Sequence, residues 1–243
     1  MDHGGENLSS PGLAKGDAAS DCDRCPVRKT SFCHEVDISV PVLGRRRIRL
    51  KDGETISFVG GGAPTLLNVI SGFVKLVRAL PDGRTQILGF REMGDFLLLG
   101  TARQQTVTVE AVGPVQACRF SWSRLKGQLQ MHPQALALLL SKSQEQLEGM
   151  QSHLFDLGRK NARERVASFL MRYGIARDGS QGRRNLDAHL LITRGEIADF
   201  LGLTTETVSR TLAQMVKEGL VALGRPQAIY VLDRSRLRIL AND

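Results

Sequence analysis

The hydrophobic pattern of this chain changes its period once, near residue 133, and this change constrains the fold more than any other feature. Upstream, between residues 36 and 122, short stretches rich in β-branched residues alternate with turns such as "KDG" and "PDGR". Such stretches predict strands that close into a sandwich, barrel or roll. Downstream, apolar residues recur at helical spacing. We therefore predict an α+β chain in which a β domain precedes a set of helices.

A heptad pattern begins directly after the change of period, between Pro133 and about Gly158. A helix of about 25 residues is about 38 Å long and would overhang a small β domain. We therefore favour a two-stranded coiled coil in a homodimer, with an interface at Leu140, Leu147, Met150, Leu154 and Leu157. The alternative is one long helix that packs its apolar stripe on its own domain. Other apolar residues of the helix are candidates for contact with that domain, namely Leu138, Leu139 and Phe155.

The segment 192–223, "ITRGEIADFLGLTTETVSRTLAQMVKEGLVAL", predicts two helices joined by a tight turn. Thr193 and Glu196 have the spacing of a capping box, which starts a helix. Gly202 supplies the turn and Thr204 caps the second helix. Apolar residues at helical spacing then face inward, at Val208, Leu212 and Met215. The alternative, a helical hairpin in a core with a solvated charged face, does not account for all of these signals together.

The second helix of this segment presents polar side chains on its first turns, at Thr205, Glu206, Ser209 and Arg210. In a helix–turn–helix these turns meet base edges in the major groove of double-stranded DNA. Arginine can bond O6 and N7 of guanine, and glutamate can accept from N4 of cytosine. After the helix, "GLVALGRPQAIYVLD" predicts a hairpin that forms a wing, with Arg225 near phosphate.

The charge distribution agrees with a polyanionic partner. The chain carries a net charge of +8, and residues 159–243 hold 15 Lys and Arg against 9 Asp and Glu. A solvated basic face is an equally common origin of such a balance. The sequence lacks a dinucleotide fingerprint, a nucleophile–base pair and a paired-carboxylate site, which disfavours an enzyme, including an oxidoreductase that uses the cysteines.

Three of the four cysteines lie in "CDRCPVRKTSFCH", and the fourth is Cys118. The sequence shows neither a secretory signal nor 18 consecutive apolar residues, which predicts no membrane span and a reducing cytoplasmic location. Clustered cysteines in that setting bind metal or undergo redox chemistry more often than they form disulfides. Zinc held by Cys22, Cys25, Cys33 and His34 is one possibility, although the adjacent Cys33 and His34 would reach one ion together with difficulty. Direct thiol oxidation and no ligand at all remain open.

The chain resembles the CRP/FNR superfamily of bacterial transcription regulators. The resemblance covers nearly everything after residue 20 and is carried by "KNARERVASFL" and "TRGEIADFLGLTTETVSRTL". It implies a cyclic-nucleotide-binding-like β-roll (double-stranded jelly roll) sensor domain, a long dimerisation helix and a C-terminal winged helix–turn–helix. The implied divisions are the cysteine segment and β-roll at 21–130, the dimerisation helix at 131–158 and the DNA-binding domain at 159–243. Residues 1–20, by their Gly, Ser, Pro and Ala content, predict a disordered arm.

The pattern Glu206-x-x-Ser209-Arg210 resembles the FNR branch. The resemblance implies that these residues read an inverted repeat of the type TTGAT-N4-ATCAA, and it implies RNA polymerase as a partner. Relatives that bind cyclic AMP carry Gly-Glu followed by an Arg-Ser pair that clamps the phosphate. Here Gly94-Asp95 is present without an Arg-Ser pair, and Arg103 is the only basic residue nearby, so a cyclic nucleotide is not expected.

The four cysteines are similar to the pattern of oxygen-sensing FNR-type proteins, with three near the N-terminus and one in the β-roll. The resemblance implies a [4Fe–4S] cluster on Cys22, Cys25, Cys33 and Cys118 that forms without oxygen and promotes the DNA-binding dimer. The spacing Cys-x2-Cys-x7-Cys departs from the x5 second gap of the best-known enteric members. Zinc or thiol oxidation in a regulator of the same fold is the alternative.

Overall fold

A computed structural model describes residues 25–31, 45–58, 65–99, 107–176, 192–224 and 227–242. In these segments a short 3-10 helix at Arg28–Thr30 precedes one antiparallel sheet of six strands. The strands are β1 (Arg46–Leu50), β2 (Thr55–Phe58), β3 (Thr65–Ala79), β4 (Thr85–Arg91), β5 (Phe96–Leu99) and β6 (Val107–Ser121). The helices are α1 (Trp122–Met131), α2 (Pro133–Arg159), α3 (Ala162–Tyr173), α4 (Arg194–Leu201), α5 (Thr205–Lys217) and α6 (Arg234–Ala241).

The two 15-residue strands β3 and β6 pair with each other and form the centre of the sheet. Strands β1 and β2 extend the sheet from β6, while β4 and β5 extend it from β3. The register of β3 against β6 shifts around Gly72, which has a φ of +89°. A Cβ at this position would lie 2.4 Å from the carbonyl oxygen of Pro114. Glycine therefore permits the irregularity that bends the two long strands into the predicted roll.

Helix α2 has 27 residues and confirms the helix predicted from the heptad pattern. Its first turns pack on the β-roll, where Ala135 and Leu139 are buried and Leu138 is half-buried. Phe155, the third residue suggested for this contact, is instead 61 % exposed. Within the described segments, no helix is both long enough and apolar enough to span a membrane.

The remaining elements form a small helical domain with a three-stranded sheet. Strand β7 (Ile175–Ala176) pairs in parallel with β9 (Ile229–Val231), and β8 (Val221–Leu223) pairs with β9 in antiparallel fashion. Strands β8 and β9 confirm the predicted hairpin. The core of this domain is formed by apolar residues of α3 to α6 that are almost fully inaccessible to solvent, among them Val166, Leu170, Ile197, Leu212, Met215 and Leu237.

The β-roll and the helical domain share one apolar core. Phe90 of β4 lies at its centre, and its ring centroid is 5.3 Å from those of Tyr173 and Phe200 and 6.3 Å from that of Phe169. Phe73 of β3 stacks on Phe90, with ring centroids 5.4 Å apart. The two halves of the described chain are therefore held together by aromatic packing.

The sequence analysis did not single out three of the elements. Residues 96–99 form β5, α1 begins at Trp122 where the β region was expected to end, and α6 follows the wing. Each is short, with four residues in β5, ten in α1 and eight in α6. Helix α1 buries Leu125 and Leu129, and α6 buries Leu237 and Ala241, in each case a pair of residues spaced by four, which covers about one turn. So short a periodic signal is weak on its own.

Replacing Phe90 with alanine tests the shared core. Removing a buried phenylalanine side chain costs about 3–5 kcal/mol of the free energy of unfolding, because the transfer energy is lost and a cavity remains. We expect that loss in urea denaturation of Phe90→Ala. The control is Leu88→Ala on the same strand, where the side chain is 39 % exposed and the expected loss is smaller than about 1 kcal/mol. Equal losses in the two variants would contradict the assignment of Phe90 to the centre of the core.

Candidate DNA interface and cysteine site

Helix α4 begins and ends with the signals found in the sequence. The Oγ1 atom of Thr193 accepts from the backbone N–H of Glu196 at 3.1 Å, and Oε2 of Glu196 accepts from the N–H of Thr193 at 2.7 Å. This reciprocal pair confirms the predicted capping box. At the other end, Gly202 adopts the left-handed conformation with a φ of +61° and donates to the carbonyls of the last turn. The glycine thus ends α4 and redirects the chain into α5.

Helix α5 is strongly amphipathic. The side chain of Thr204 accepts from the N–H of Thr207 at 3.1 Å, which confirms the predicted cap. Val208, Leu212 and Met215 are fully buried and hold the inner face of α5 against the domain. The opposite face is therefore fixed in orientation and available to a partner.

The outer face of α5 carries the four side chains singled out in the sequence. Thr205, Glu206 and Arg210 are exposed, and Ser209 is half-buried. Nη2 of Arg210 lies 3.7 Å from Oε1 of Glu206, and both side chains are more than 70 % exposed. An exposed pair at this distance contributes little stability, so both groups can exchange partners at small cost. Arg225, placed by the sequence on the wing, lies outside the described residues, so its predicted phosphate contact stays a prediction.

Polar contacts attach α4 to the β-roll beside the aromatic core. Nζ of Lys75 lies 2.7 Å from both Oε1 of Glu196 and Oε1 of Glu110. Burial lowers the pKa of Lys75, but the two carboxylates outweigh that effect and leave the pKa above its ordinary value. Glu196 therefore caps α4 with one oxygen and binds the β-roll with the other.

A second contact lies one turn further along α4. The side chains of Thr85 and Gln86 on β4 donate to Asp199, Thr85 to the carboxylate at 3.5 Å and Gln86 to the backbone carbonyl. Burial raises the pKa of Asp199. Sequence reasoning missed these contacts, as well as Lys75, because more than 100 residues separate the partners in the chain.

The predicted dimer residues form an uncovered apolar stripe on α2. Leu140, Leu147, Met150 and Leu154 are each more than half exposed, and Leu157 is half-buried. Leu140, Leu147 and Leu154 are spaced by seven and lie along one line of the helix. Four exposed large apolar side chains on one helix face are unusual for a surface in contact with water alone.

Two of the four cysteines lie in one apolar cluster. Cys118 of β6 is 5 % exposed, and the half-buried Cys25 packs against the cluster that contains it. Val27, two residues after Cys25, is 1 % exposed in the same cluster and fixes the N-terminal segment to the β-roll. Leu139 of α2 is also a member. Cys22, Cys33 and His34 lie outside the described residues.

These surroundings fit a thiolate-held metal group in two respects. The thiols of Cys25 and Cys118 belong to the same cluster although 93 positions separate them, and the cluster is apolar and largely shielded from water. Soft thiolate ligands in a shielded pocket suit iron–sulfur clusters and zinc alike. The donor set alone therefore does not distinguish the two.

A cleft of about 460 Å³ lies between the β-roll, α2 and the helical domain. Charges of both signs line it, including Arg91, Asp95, Lys142 and Arg172. Asp95 accepts from the N–H of Glu92 at 3.1 Å, and burial raises its pKa. Arg103, the nearby basic residue noted in the sequence, lies outside the described residues.

The two halves of the chain match separate domain families. Residues 164–240 match the Crp-like helix-turn-helix domain, and residues 47–132 match the cyclic nucleotide-binding domain. The first match covers α4 and α5, so the chain contains a DNA-binding domain.

Full-length relatives and a solved structure agree with this assignment. The nitrogen fixation regulation protein FixK of Bradyrhizobium diazoefficiens is 32 % identical over 90 % of this chain and 93 % of its own length. The transcriptional activator protein FnrL of Cereibacter sphaeroides is 30 % identical over 91 % of this chain and 92 % of its own. The structure of FixK2 from Bradyrhizobium japonicum superposes with a TM-score of 0.69 at 28 % identity, covering 81 % of this chain and 96 % of that one.

These relatives are regulators of transcription and not enzymes, which agrees with the expectation drawn from the sequence. The fold, the matched domains and the identity along nearly the whole chain point to one family. The chain belongs to the CRP/FNR family of DNA-binding transcription regulators, in its FNR/FixK branch.

Proposed function

We propose that the chain is an oxygen-responsive transcription regulator whose homodimer binds an inverted repeat of the type TTGAT-N4-ATCAA at low oxygen. The observation that carries the proposal is the apolar cluster that joins Cys25 and Cys118 to Leu139 of α2. This cluster places the candidate sensor ligands against the helix that bears the candidate dimer stripe. A structural change at Cys25 or Cys118 would therefore be passed directly to α2, the helix assigned to dimerisation.

DNA recognition is assigned to Thr205, Glu206, Ser209 and Arg210, with Arg225 on a backbone phosphate. Their support is the fixed orientation of α5 and the loose pairing of Arg210 with Glu206. Arg210 would contact guanine and Glu206 would accept from cytosine. Two copies of α5 are needed because one half-site binds weakly, and joining two half-sites raises affinity through effective concentration.

The homodimer is assigned to the stripe of Leu140, Leu147, Met150, Leu154 and Leu157. Pairing two such stripes in a coiled coil would bury the exposed apolar surface of both helices. We further propose a cytoplasmic location and RNA polymerase as a partner, as expected for a regulator of transcription. No cyclic nucleotide is assigned to the β-roll.

The cofactor assigned to Cys22, Cys25, Cys33 and Cys118 is a [4Fe–4S] cluster, which would supply oxygen-labile iron–thiolate bonds. Val27 holds the segment with Cys25 beside Cys118, and Leu138 and Leu139 hold α2 against the same cluster. Loss of a shared ligand set would release the N-terminal segment from the β-roll and loosen the contact with α2.

A regulator of the same fold that uses zinc or thiol oxidation is the second candidate. The longer x7 gap between Cys25 and Cys33 favours it, because that gap departs from the spacing of the best-known oxygen sensors. Anaerobic purification with iron and sulfide analysis, followed by DNA binding before and after exposure to air, separates the candidates. Iron and acid-labile sulfide with air-sensitive binding support the cluster, whereas zinc or reversible thiol oxidation supports the second candidate.

Arg210→Ala should lose specific DNA binding. The substitution removes a two-bond contact with a base, which is worth about 1–3 kcal/mol per half-site. Fluorescence anisotropy with the inverted repeat and a scrambled duplex measures the loss. The matched control is Arg84→Ala, which removes an exposed arginine that also pairs with a carboxylate, that of Asp82, but lies in the β3–β4 turn. Unchanged affinity of Arg210→Ala for the repeat would contradict the assignment of α5 as the recognition helix.

Cys118→Ser should yield colourless protein that fails to bind the repeat under anaerobic conditions. A serine hydroxyl replaces the thiol at nearly the same volume, so near-native circular dichroism is expected and the readout is iron and sulfide content. A full complement of iron in this variant would show that Cys118 is not a ligand. Loss of zinc from a protein that never held iron would support the second candidate.

Leu147→Glu should convert the dimer to a monomer in analytical ultracentrifugation, because two charges would face each other in the apolar seam. Ser141→Glu introduces the same charge at an exposed position of α2 outside the stripe, and it should remain dimeric. A dimer that persists in Leu147→Glu would place the interface elsewhere.

A further inference from the structure

The guanidinium of Arg165 lies where the end of α2, the start of α3 and the end of α4 meet. Its Nη2 donates to the carbonyl of Leu157 at 2.8 Å, its Nε to the carbonyl of Lys160 at 2.9 Å, and its Nη1 to the carbonyl of Leu201 at 3.1 Å. One side chain thus links α2, which carries the proposed dimer stripe, to α4, the first helix of the helix–turn–helix. The link uses three separate donors of a planar group.

The three acceptors explain why a cation suits this position. Leu157 and Leu201 lie in the last turns of α2 and α4, where backbone carbonyls lack partners within the helix. The C-terminal end of a helix also carries a partial negative charge, which favours a nearby cation. Arg165 satisfies the ends of two helices at once, and its rigid fork holds those ends in a fixed relation.

The turn between α4 and α5 packs on the same joint. A Cβ added to Gly202 would lie 3.7 Å from Cδ2 of Leu157 and 3.9 Å from Nη1 of Arg165, both within ordinary contact distance. The turn that sets the angle between α4 and α5 is therefore one side-chain atom away from α2, and the carbonyl of Leu201 just before it accepts from Arg165. A displacement of this guanidinium would be passed to α5 through a single turn of chain.

The neighbouring residues stiffen the joint. Nζ of Lys160, which is 7 % exposed, lies 2.8 Å from both the carboxylate of Asp156 and the hydroxyl of Ser168. The side chain of Asn161 accepts from the N–H groups of Arg163 and Glu164 and caps α3. The junction of α2 and α3 is therefore held by local polar contacts, and Arg165 is the member that reaches α4.

We propose that Arg165 is a positioning residue for DNA recognition, which fixes the angle between the dimer helix and the recognition helix and so sets the half-site spacing that the dimer accepts. This inference rests on the proposed dimer and on the proposed role of α5. Two recognition helices must enter successive major grooves about 34 Å apart. A small rotation at the joint is magnified along the domain, so an unrestrained joint would admit several spacings and favour none.

A role limited to local stability makes a different prediction. It would lower the affinity for one half-site and for the full repeat by the same factor, since each domain would be equally damaged. A positioning role instead reduces the advantage of the full repeat, which for two linked modules is roughly 10²–10⁴-fold, and leaves the half-site affinity nearly unchanged.

The experiment compares full-length wild type with Arg165→Lys and Arg165→Met. Fluorescence anisotropy measures affinity for a single TTGAT half-site and for inverted repeats with spacers of three, four and five base pairs. Lysine keeps the positive charge but lacks the planar guanidinium. A loss of affinity in both variants would therefore be due to the lost hydrogen-bond geometry and not to the lost charge. Ultracentrifugation under the same conditions establishes that each variant is dimeric.

We expect both variants to lose at least about tenfold in affinity for the four-base-pair repeat, while half-site affinity changes by less than about twofold. The difference in affinity between the four-base-pair repeat and the three- or five-base-pair repeats should also become smaller. Arg172→Met is the matched control, because Arg172 lies two turns along α3 and donates to the carbonyl of Gly149 in α2, at 3.3 Å. It should retain the spacing preference.

An unchanged spacing preference in dimeric Arg165 variants, or equal losses for half-site and full repeat, would overturn the inference. Failure of wild type to favour the four-base-pair repeat would instead count against the proposed function. The two failures are therefore distinguishable in one set of measurements.

Discussion

The packing of α3 and α4 on the β-roll is the interaction on which the rest of this structure depends. Phe90 supplies its apolar part, and the ion pair between Lys75 and Glu196 supplies its polar part. Glu196 also caps α4, so the contact that joins the two halves is built into the helix–turn–helix itself. The orientation of α5 is thereby tied to the β-roll as well as to α2, and any change of orientation must break contacts at both.

The described contacts form a physical route between the cysteines and α5. It begins at the apolar cluster of Cys25 and Cys118, enters α2 at Leu139, and leaves α2 at Leu157, where Arg165 reaches the last turn of α4. The first part of the route is apolar and the last part is polar. Apolar packing resists displacement in all directions, whereas a fork of three hydrogen bonds fixes an angle. In the proposed function, that angle would decide which spacing of two half-sites the dimer accepts.

Features encoded by short-range patterns could be predicted from the sequence. The capping box at Thr193, the turn at Gly202, the inner face of α5 and the length of α2 all depend on residues within a few turns of one another, and all were found in the expected places. Lys75 and Arg165 were not found, because their partners are distant in sequence or are backbone carbonyls with no side-chain signature. The cysteine set was inferred from resemblance, and the structure adds the shared cluster of two of its members.

The loose pair of Glu206 and Arg210 has a consequence for how such a domain would search along DNA. Arg210, the basic side chain on the outer face of α5, has the opposite charge of Glu206 3.7 Å away on the same helix face. In the proposed role, the two charges would largely cancel against the uniform phosphate backbone, and α5 would contribute little to sliding contacts. A base step with an acceptor for the guanidinium and a donor for the carboxylate would give both groups new partners at once. The pair would therefore weaken non-specific binding by α5 while still permitting base recognition. Non-specific attraction to DNA would come from arginines elsewhere in the domain.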